Sequence, residues 1–264
     1  MMLTILDGKY KADRSVVALG MFDGVHIGHR VLLERGAALA RQKGVPLVVC
    51  TFQEHPLSVI APDKCPPQLT TFPERIRLME EMGVDVFCAQ PFTQDVMETP
   101  AADYVGELVR RFHPVDVVCG YNHTYGRKGE GTPALLEVLG GALSFGVSVV
   151  PKITLDGQDV SSTVIRSLLA RGDAAQARAM LGRPYRLEGQ IEKRKGSLCT
   201  LRLTESRKQP LHPGDYRALV CTDGKRIPAL VRLTEGAAQL RLPAPFSTQS
   251  MIGLEFLTNV ALPF

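Results

Sequence analysis

Short apolar runs alternate with amphipathic segments between residues 14 and 183, and this alternation is the feature that most limits the fold. The apolar runs share a high content of β-branched residues, and they lie at 15–20, 47–52, 84–89, 115–119 and 147–150. The amphipathic segments repeat apolar residues at helical spacing, and they lie at 28–43, 71–82, 100–112 and 132–143. Such an alternation predicts an α/β fold with a doubly wound parallel sheet that is covered by helices on both faces.

The pattern changes near residue 184, after which only short alternating segments remain. Six of them have strand character, and they lie at 186–192, 197–203, 216–221, 227–233, 238–242 and 251–257. Turn residues such as Gly214 and Gly236 separate them, which is typical of a small antiparallel β-barrel. We therefore expect two domains, covering residues 1–183 and 184–264.

The composition of the 264-residue chain argues against several classes of protein. Apolar residues make up 45% and charged residues 22%, as in globular proteins, so disordered and fibrous chains are excluded. Residues 184–264 hold 12 Lys or Arg against 7 Asp or Glu, but these are dispersed, so we expect a solvated surface rather than a nucleic-acid site. No apolar window reaches 18 residues, so we expect no membrane span.

Six cysteines are scattered without any CxxC pair, which favours neither a disulfide framework nor a zinc site. Cys50, Cys88 and Cys119 fall in strand-like runs, where a free thiol packs as a small apolar group. The N-terminus lacks a basic stretch followed by an apolar one, so we expect no signal peptide. Together these features predict a cytoplasmic protein without metal ligands of its own.

The strongest functional signal is the segment at 19–29, which follows the first strand and opens the first helix. Its three glycines allow the backbone to pass close to a ligand, and a helix N-terminus attracts anions. His26 and His29 bracket the last of these glycines, so two imidazoles would lie beside an anion held there. The alternative is a glycine turn that carries two incidental histidines.

A second segment, at 160–166, places adjacent hydroxyls ahead of an apolar helical pattern. Ser162 and Thr163 could simply cap that helix. Arg166 lies one turn further on, so it could instead grip a phosphate that the hydroxyls and the helix N–H groups also contact. Taken alone, the segment fits a cap and a phosphate site equally well.

Two further segments follow predicted strands, and we expect all four segments, including the one at 160–166, to lie at the same edge of the sheet. The glycine-bounded loop at 120–131 carries Asn122 and Tyr125, and Phe52 and His55 follow the second strand. Taken singly, each could belong to a plain surface loop. Because ligands of parallel sheets bind at the carboxyl ends of the strands, the convergence of these segments at one edge favours a ligand site.

The segment at 20–29 resembles the HxGH motif of the nucleotidyltransferase superfamily, in the FDGVHxGH form of prokaryotic bifunctional FAD synthetases. The segment at 160–166 is similar to the ISSTxIR motif of that superfamily, and the residues from Phe52 to Pro56 are similar to its FxxHP element. Further matches follow in family order at 69–71, 74–75, 91–93, 120–126 and 181–185. The resemblance covers residues 14–189 and is to the FMN adenylyltransferase module of this family.

The resemblance implies a Rossmann-like nucleotidyltransferase that forms FAD and pyrophosphate from FMN and ATP with Mg²⁺. The phosphate of FMN is the nucleophile in such a reaction, so catalysis rests on positioning and electrostatics. By this resemblance, His26 and His29 would stabilise charge on the α-phosphate and on the departing pyrophosphate. The implied ATP-binding residues are Gly20, Met21, Phe22, Asp23, Ser162, Thr163 and Arg166, and the implied flavin- or phosphate-binding residues are Phe52, His55, Asn122 and Tyr125.

The sequence departs from the family pattern in two places. The C-terminal segment begins like the riboflavin kinase barrel of the bifunctional enzymes, but residues 190–204 contain no PTAN motif, so we expect adenylyl transfer without riboflavin kinase activity. His123 and Tyr125 stand where the family loop often carries phenylalanines. The alternatives are a nucleotidyltransferase that acts on another phosphomonoester, and a flavin- or nucleotide-binding regulator without turnover.

Overall fold

The computed structural model describes residues 2–6, 9–205, 207–222, 224–242 and 251–260. The strands are β1 Leu3–Ile5, β2 Ser15–Leu19, β3 Leu47–Phe52, β4 Val86–Gln90, β5 Pro114–Gly120, β6 Gly146–Val150, β7 Thr154–Leu155, β8 Gln158–Asp159, β9 Tyr185–Lys195, β10 Leu198–Leu203, β11 Gly214–Thr222, β12 Lys225–Thr234, β13 Ala237–Arg241 and β14 Met251–Asn259. The helices are α1 Ile27–Lys43, α2 Leu57–Ile60, α3 Phe72–Glu81, α4 Gln94–Glu98, α5 Ala101–Phe112, α6 Pro133–Leu143, α7 Ser162–Ala170 and α8 Ala174–Leu181. Within the described residues, no helix is both long and apolar enough to cross a membrane.

The chain divides into two compact units. The first consists of Met1–Pro66 and Thr70–Gly157, and the second of Pro67–Leu69 and Gln158–Phe264. The second unit thus begins earlier than the domain boundary that the sequence predicts at residue 184. The physical reason is that α7 packs on α8, and α8 in turn packs on strands β9 and β14, so both helices belong with the barrel.

The first unit contains the predicted parallel sheet. Its six strands run in the order β1-β4-β3-β2-β5-β6, and each neighbouring pair is parallel. The chain leaves β2 toward one side of the sheet and later returns to its other side as β5, so the strand order reverses between these two strands. In sheets of this kind, the crevice beyond the carboxyl ends of such a pair is where ligands bind.

Each strand of the sheet contributes to two cores because its side chains alternate between the two faces. On β2, Val16 and Ala18 pack with residues of α1 and α3 on one face. Val17 and Leu19 pack with residues of α5 and α6 on the other face. The sheet is therefore covered on both faces, as the alternation of the sequence predicts.

Helix α1 begins at the carboxyl end of β2 and carries the histidine motif. Its N-cap is His26, and Gly44 ends it in the left-handed conformation with φ of 64°. Leu32 and Leu33 are buried on its inner face. A Cβ at Gly36 would lie 2.9 Å from a methyl group of Leu47, so glycine allows the helix to pack closely on the sheet. This packing fixes where the first turn of α1 lies.

The second unit contains the predicted antiparallel barrel, which is closed by six strands in the order β10-β13-β12-β11-β14-β9. Two fully buried tyrosines anchor it through their hydroxyl groups. Tyr185 donates to the carbonyl of Gln209 at 2.6 Å, and Tyr216 donates to the carbonyl of His212 at 2.7 Å. Closure removes free strand edges, which makes the barrel a stable scaffold.

We expect the substitution Leu33→Ala to lower the free energy of unfolding by about 2–5 kcal/mol, because it leaves a cavity between α1 and the sheet. Urea denaturation followed by circular dichroism measures the change. The exposed neighbour Glu34 provides the control, since Glu34→Ala should alter stability by no more than about 0.5 kcal/mol. Equal effects of the two substitutions would contradict this packing of α1.

Candidate active site

A cavity of about 630 Å³ opens at the carboxyl edge of the sheet in the first unit. Its wall includes Met21 after β2, Phe52 at the end of β3 and Asn122 after β5, together with His29 of α1 and Arg111 of α5. Three of the four segments that the sequence predicts at one sheet edge thus contribute to one cavity, whereas the segment at 160–166 belongs to the second unit and is not part of its wall. A cavity of this size can hold a ligand with a fused ring system.

His26 and His29 lie face to face at the start of α1. Their ring centroids are 3.7 Å apart, with 14° between the ring planes. The backbone N–H of His29 donates to Nδ1 of His26 at 3.3 Å, which places the proton of a neutral His26 ring on Nε2. His26 is buried, and His29 is half-buried and lines the cavity. The pair therefore places two imidazoles at the N-terminus of a helix, where anions are favoured.

The turn that leads into α1 is strained, and a buried polar contact holds it. Phe22 and Val25 have positive φ values of 53° and 37°, which side-chain-bearing residues rarely adopt. The carboxylate of Asp23 accepts from the backbone N–H of Thr70 at 3.1 Å and from its hydroxyl at 3.2 Å. The same hydroxyl accepts from the N–H of Gly24 at 3.0 Å. These contacts stabilise a conformation that would otherwise cost free energy.

Two glycines of the motif make room for rings of the same chain. A Cβ at Gly20 would lie 3.0 Å from the ring of Phe22, and a Cβ at Gly28 would lie 3.2 Å from the ring of His26. Phe22 is fully buried and meets His29 edge-on, with 5.3 Å between centroids. The sequence predicts that these glycines bring the backbone close to a ligand, and the structure shows that they also seat Phe22 and His26.

Arg75 ties the first two loops of the site together, which the sequence does not predict. Its guanidinium is buried and donates to the carbonyl of Met21 at 2.9 Å and to that of Gln53 at 2.6 Å. Burial lowers the pKa of Arg75, and the negative charge of Asp23 partly offsets this effect. The sequence does contain one signal for the place of Arg75, which is the capping box formed by Thr71 and Glu74. A capping box marks the start of a helix, so it places Arg75 in the first turn of α3.

Phe52 and His55 both line the cavity after β3. The ring of Phe52 meets that of Phe92 edge-on at 5.0 Å, so this part of the wall is aromatic. Nδ1 of His55 accepts from the N–H of Leu57 at 3.1 Å, which fixes the ring orientation through the local turn. Neither residue is fully buried.

The loop after β5 divides between the cavity and the core. Asn122 and His123 line the cavity, and Asn122 is exposed. Tyr125 is buried and does not line it, because its ring packs against Tyr104 at 5.4 Å and against His123 at 5.9 Å. Burial raises the pKa of Tyr125 to about 12 and lowers that of His123 to about 4, so both side chains are neutral at pH 7.

The hydroxyl segment lies in the second unit, at the start of α7. Ser161 is the N-cap, and its hydroxyl accepts from the N–H of Val164 at 3.2 Å. The capping role therefore falls to Ser161 and not to Ser162 or Thr163, which lie in the first turn. Arg166 follows one turn later, and its Nε donates to the carbonyl of Pro67 at 2.7 Å.

We expect Thr70→Val to destabilise the protein by about 1–3 kcal/mol, because it leaves the buried carboxylate of Asp23 and the N–H of Gly24 with one partner fewer. Thr70→Ser keeps the hydroxyl and is the matched control, with an expected loss below about 1 kcal/mol. Chemical denaturation of both variants measures the difference. If serine proves as damaging as valine, the hydroxyl is not what holds the turn.

His123 makes stability depend on pH in a defined direction. Its folded-state pKa of about 4 lies below the ordinary value of about 6.5, so the unfolded chain binds more protons between these pH values. Stability contributed by neutral His123 is therefore complete above about pH 6.5 and is lost as the pH falls toward 4. We expect His123→Phe to remove about 3 kcal/mol of this loss. The loss is measured as the change, between pH 7.5 and pH 4, in the difference between the unfolding free energies of the wild type and the variant. Parallel pH profiles would contradict the burial of this ring.

Comparisons with known proteins identify the family of the chain. A sequence model of the FAD synthetase family matches residues 9–164. The bifunctional riboflavin kinase/FMN adenylyltransferase of Bacillus subtilis is 33% identical over 183 residues, which are 69% of this chain and 57% of that protein. The protein of the same name from Listeria monocytogenes is 34% identical over 177 residues, or 67% and 56% of the two chains. The matched region thus spans less than two thirds of these relatives.

A solved structure shares the whole fold. The crystal structure titled macrolide-efflux protein from Streptococcus pneumoniae covers 100% of this chain and 93% of its own, with a TM-score of 0.89 at 23% identity. At that identity the likeness concerns the fold alone. The family match is independent of this structure, and it extends over more than half of the chain, including the histidine motif and the cavity. The chain therefore belongs to the FAD synthetase family, as its HxGH and FxxHP elements predict.

Proposed function

We propose that this chain is an FMN adenylyltransferase, which joins FMN and ATP to form FAD and pyrophosphate. The observation that carries the proposal is the stacked pair of His26 and His29 at the N-terminus of α1, beside a cavity large enough for a fused ring system. Membership of the FAD synthetase family supports the choice of substrates. The names of the relatives from B. subtilis and L. monocytogenes support it as well.

The two histidines would stabilise the negative charge that develops during adenylyl transfer. A phosphate oxygen of FMN attacks the α-phosphorus of ATP, and the bond to the pyrophosphate oxygen breaks. Nε2–H of His26 and the ring of His29 would donate to the oxygens on which charge accumulates.

The flavin would occupy the cavity, and ATP would bind along the motif that leads into α1. Phe22 and Asp23 would contribute through their backbone, since their side chains are committed to the turn. Ser162, Thr163 and Arg166 would hold the β- and γ-phosphates. Asn122 would contact the phosphate of FMN, and Phe52 would contact the ring system.

Mg²⁺ would enter with ATP as part of the substrate. Among the described residues, no group of three or more His, Cys, Asp or Glu side chains could hold a metal ion. We therefore assign the ion to oxygens of the triphosphate, where it would offset negative charge. The side chains of this chain bind and orient the substrates around it.

We further propose that the barrel does not phosphorylate riboflavin. Residues 190–204, where the sequence lacks a PTAN motif, lie in and just after the hairpin of β9 and β10. This segment contains neither proline nor asparagine. It therefore lacks the asparagine that the kinase motif would supply to a metal–nucleotide complex.

The first test is to incubate the protein with FMN, ATP and Mg²⁺ and to measure FAD by liquid chromatography. We expect the double substitution of His26 and His29 by alanine to reduce turnover by a factor of about 10²–10⁴. His212→Ala, in the second unit, is the matched control and should retain full activity. Absence of FAD above the level of the double variant would refute the proposal.

Parallel reactions separate the remaining alternatives. Riboflavin with ATP should give no FMN, and formation of FMN would contradict the proposed loss of kinase activity. Pyrophosphate release with a different phosphomonoester, without FAD formation, would favour a nucleotidyltransferase of other specificity. Tight binding of FMN without any turnover would favour a regulatory protein.

A further inference from the structure

Two cysteines face each other in the wall of the cavity. Cys50 on β3 and Cys88 on β4 are direct partners in the register of the two parallel strands. Both pack on the face of the sheet that α5 and α6 cover, and both line the cavity. Neighbouring strands lie about 4.8 Å apart, which is within the separation of about 4.4–6.8 Å that a disulfide can span.

A buried arginine adjoins this pair of thiols. Nη2 of Arg111 lies 3.4 Å from Sγ of Cys88, and Nη1 lies 3.2 Å from the side-chain oxygen of Gln90. No carboxylate forms an ion pair with Arg111 among the residues that the structure describes. A buried cation without an anion is costly. A thiolate on Cys88 would supply the missing negative charge, and positive charge beside a thiol promotes this reactive form.

The two thiols are not equivalent. Cys50 is half-buried, whereas Cys88 is almost fully buried and is the one in contact with the guanidinium. The hydrogen bond to Cys88 and burial raise the pKa of Cys50, so Cys50 stays protonated and can donate to its neighbour. The arrangement pairs a nucleophilic sulfur with a second thiol within reach.

We propose that Cys88 and Cys50 form a peroxide-oxidisable pair, in which Cys88 is attacked first and Cys50 resolves the product. The Cys88 thiolate attacks one oxygen of a hydroperoxide, the O–O bond breaks, and a sulfenic acid forms on Cys88 while the alkoxide, or hydroxide from hydrogen peroxide, leaves and takes a proton from solvent. The sulfur of the Cys50 thiol then attacks the Cys88 sulfur, and the sulfenic hydroxyl leaves as water with the proton of the Cys50 thiol. Both sulfurs are oxidised and the peroxide is reduced, so two thiols become one disulfide.

Cys119 provides an internal comparison. It lies on β5, on the same face of the sheet, and is fully buried. Burial raises its pKa to about 11, and the charge of Glu137 adds to this effect. Strand β2 separates it from β3, and within the described part of the chain no arginine forms a hydrogen bond with it. We therefore expect Cys119 to react slowly.

The test treats the wild-type protein with hydrogen peroxide, blocks remaining thiols with an alkylating reagent and maps the peptides by mass spectrometry. We expect a peptide pair joined through Cys50 and Cys88, lighter than the reduced pair by two hydrogens, and reversed by dithiothreitol. Its formation should be at least about tenfold faster than oxidation of Cys119. Absence of this crosslink, or equally fast oxidation of Cys119, would overturn the proposal.

Variants test the order of the steps. In Cys50→Ala, a sulfenic acid should accumulate on Cys88 and be trapped by dimedone, whereas Cys88→Ala should leave Cys50 unlabelled. Arg111→Gln should slow oxidation about tenfold, and Arg111→Lys should restore part of the rate because it keeps the charge. Cys119→Ala is the matched control and should form the crosslink at the wild-type rate. Labelling of Cys50 in preference to Cys88 would overturn the assigned roles.

A last experiment tests whether the two cysteines lie in the FMN site, and it rests on the proposed function. Saturating FMN should occupy the cavity and slow formation of the crosslink. Crosslinking at an unchanged rate would overturn the placement of these thiols in the FMN site. The assay of FAD formation, run on the same preparation, shows whether that result comes from the thiols or from failure of the proposed function.

Discussion

The hydrogen bonds between Asp23 and Thr70 are the interaction on which the candidate active site depends. They hold a turn in which Phe22 and Val25 take backbone conformations that are unfavourable for residues with side chains. In that conformation His26 caps α1 and stacks on His29. The turn before the two imidazoles is therefore held by Thr70, which lies 47 positions after Asp23 in the chain.

The carboxyl edge of the parallel sheet explains why several chemistries meet in one cavity. Parallel strands all end at the same edge, so the loops that follow β2, β3, β4 and β5 converge there. The cavity is also lined by side chains from the face of the sheet that α5 and α6 cover, and Cys50 and Cys88 are two of them. Helix α5 adds Arg111 to the same wall. A single feature of topology thus brings together the proposed flavin pocket and the thiol pair.

Much of the fold could be predicted from the sequence, since periodicity reports local structure directly. The five longer strands of the sheet, helix α1 and the six barrel strands all lie where the pattern predicts them. Strand β1 has three residues, too few for a periodic signal, and helix α8 was not predicted. Loop residues were harder to assign. The residue type of Tyr125 does not reveal that its ring packs against His123 and does not line the cavity. The path of the loop determines where that ring lies.

The sequence by itself determined the family, the two kinds of architecture and the residues of the histidine motif. Each of these depends on residues that are close together in the chain. The tertiary structure alone decided that Thr70 holds the turn at Asp23, that Arg75 joins two loops, and that Cys50 lies opposite Cys88. Such contacts depend on strand order and register, which bring distant segments together, and local periodicity carries no information about either.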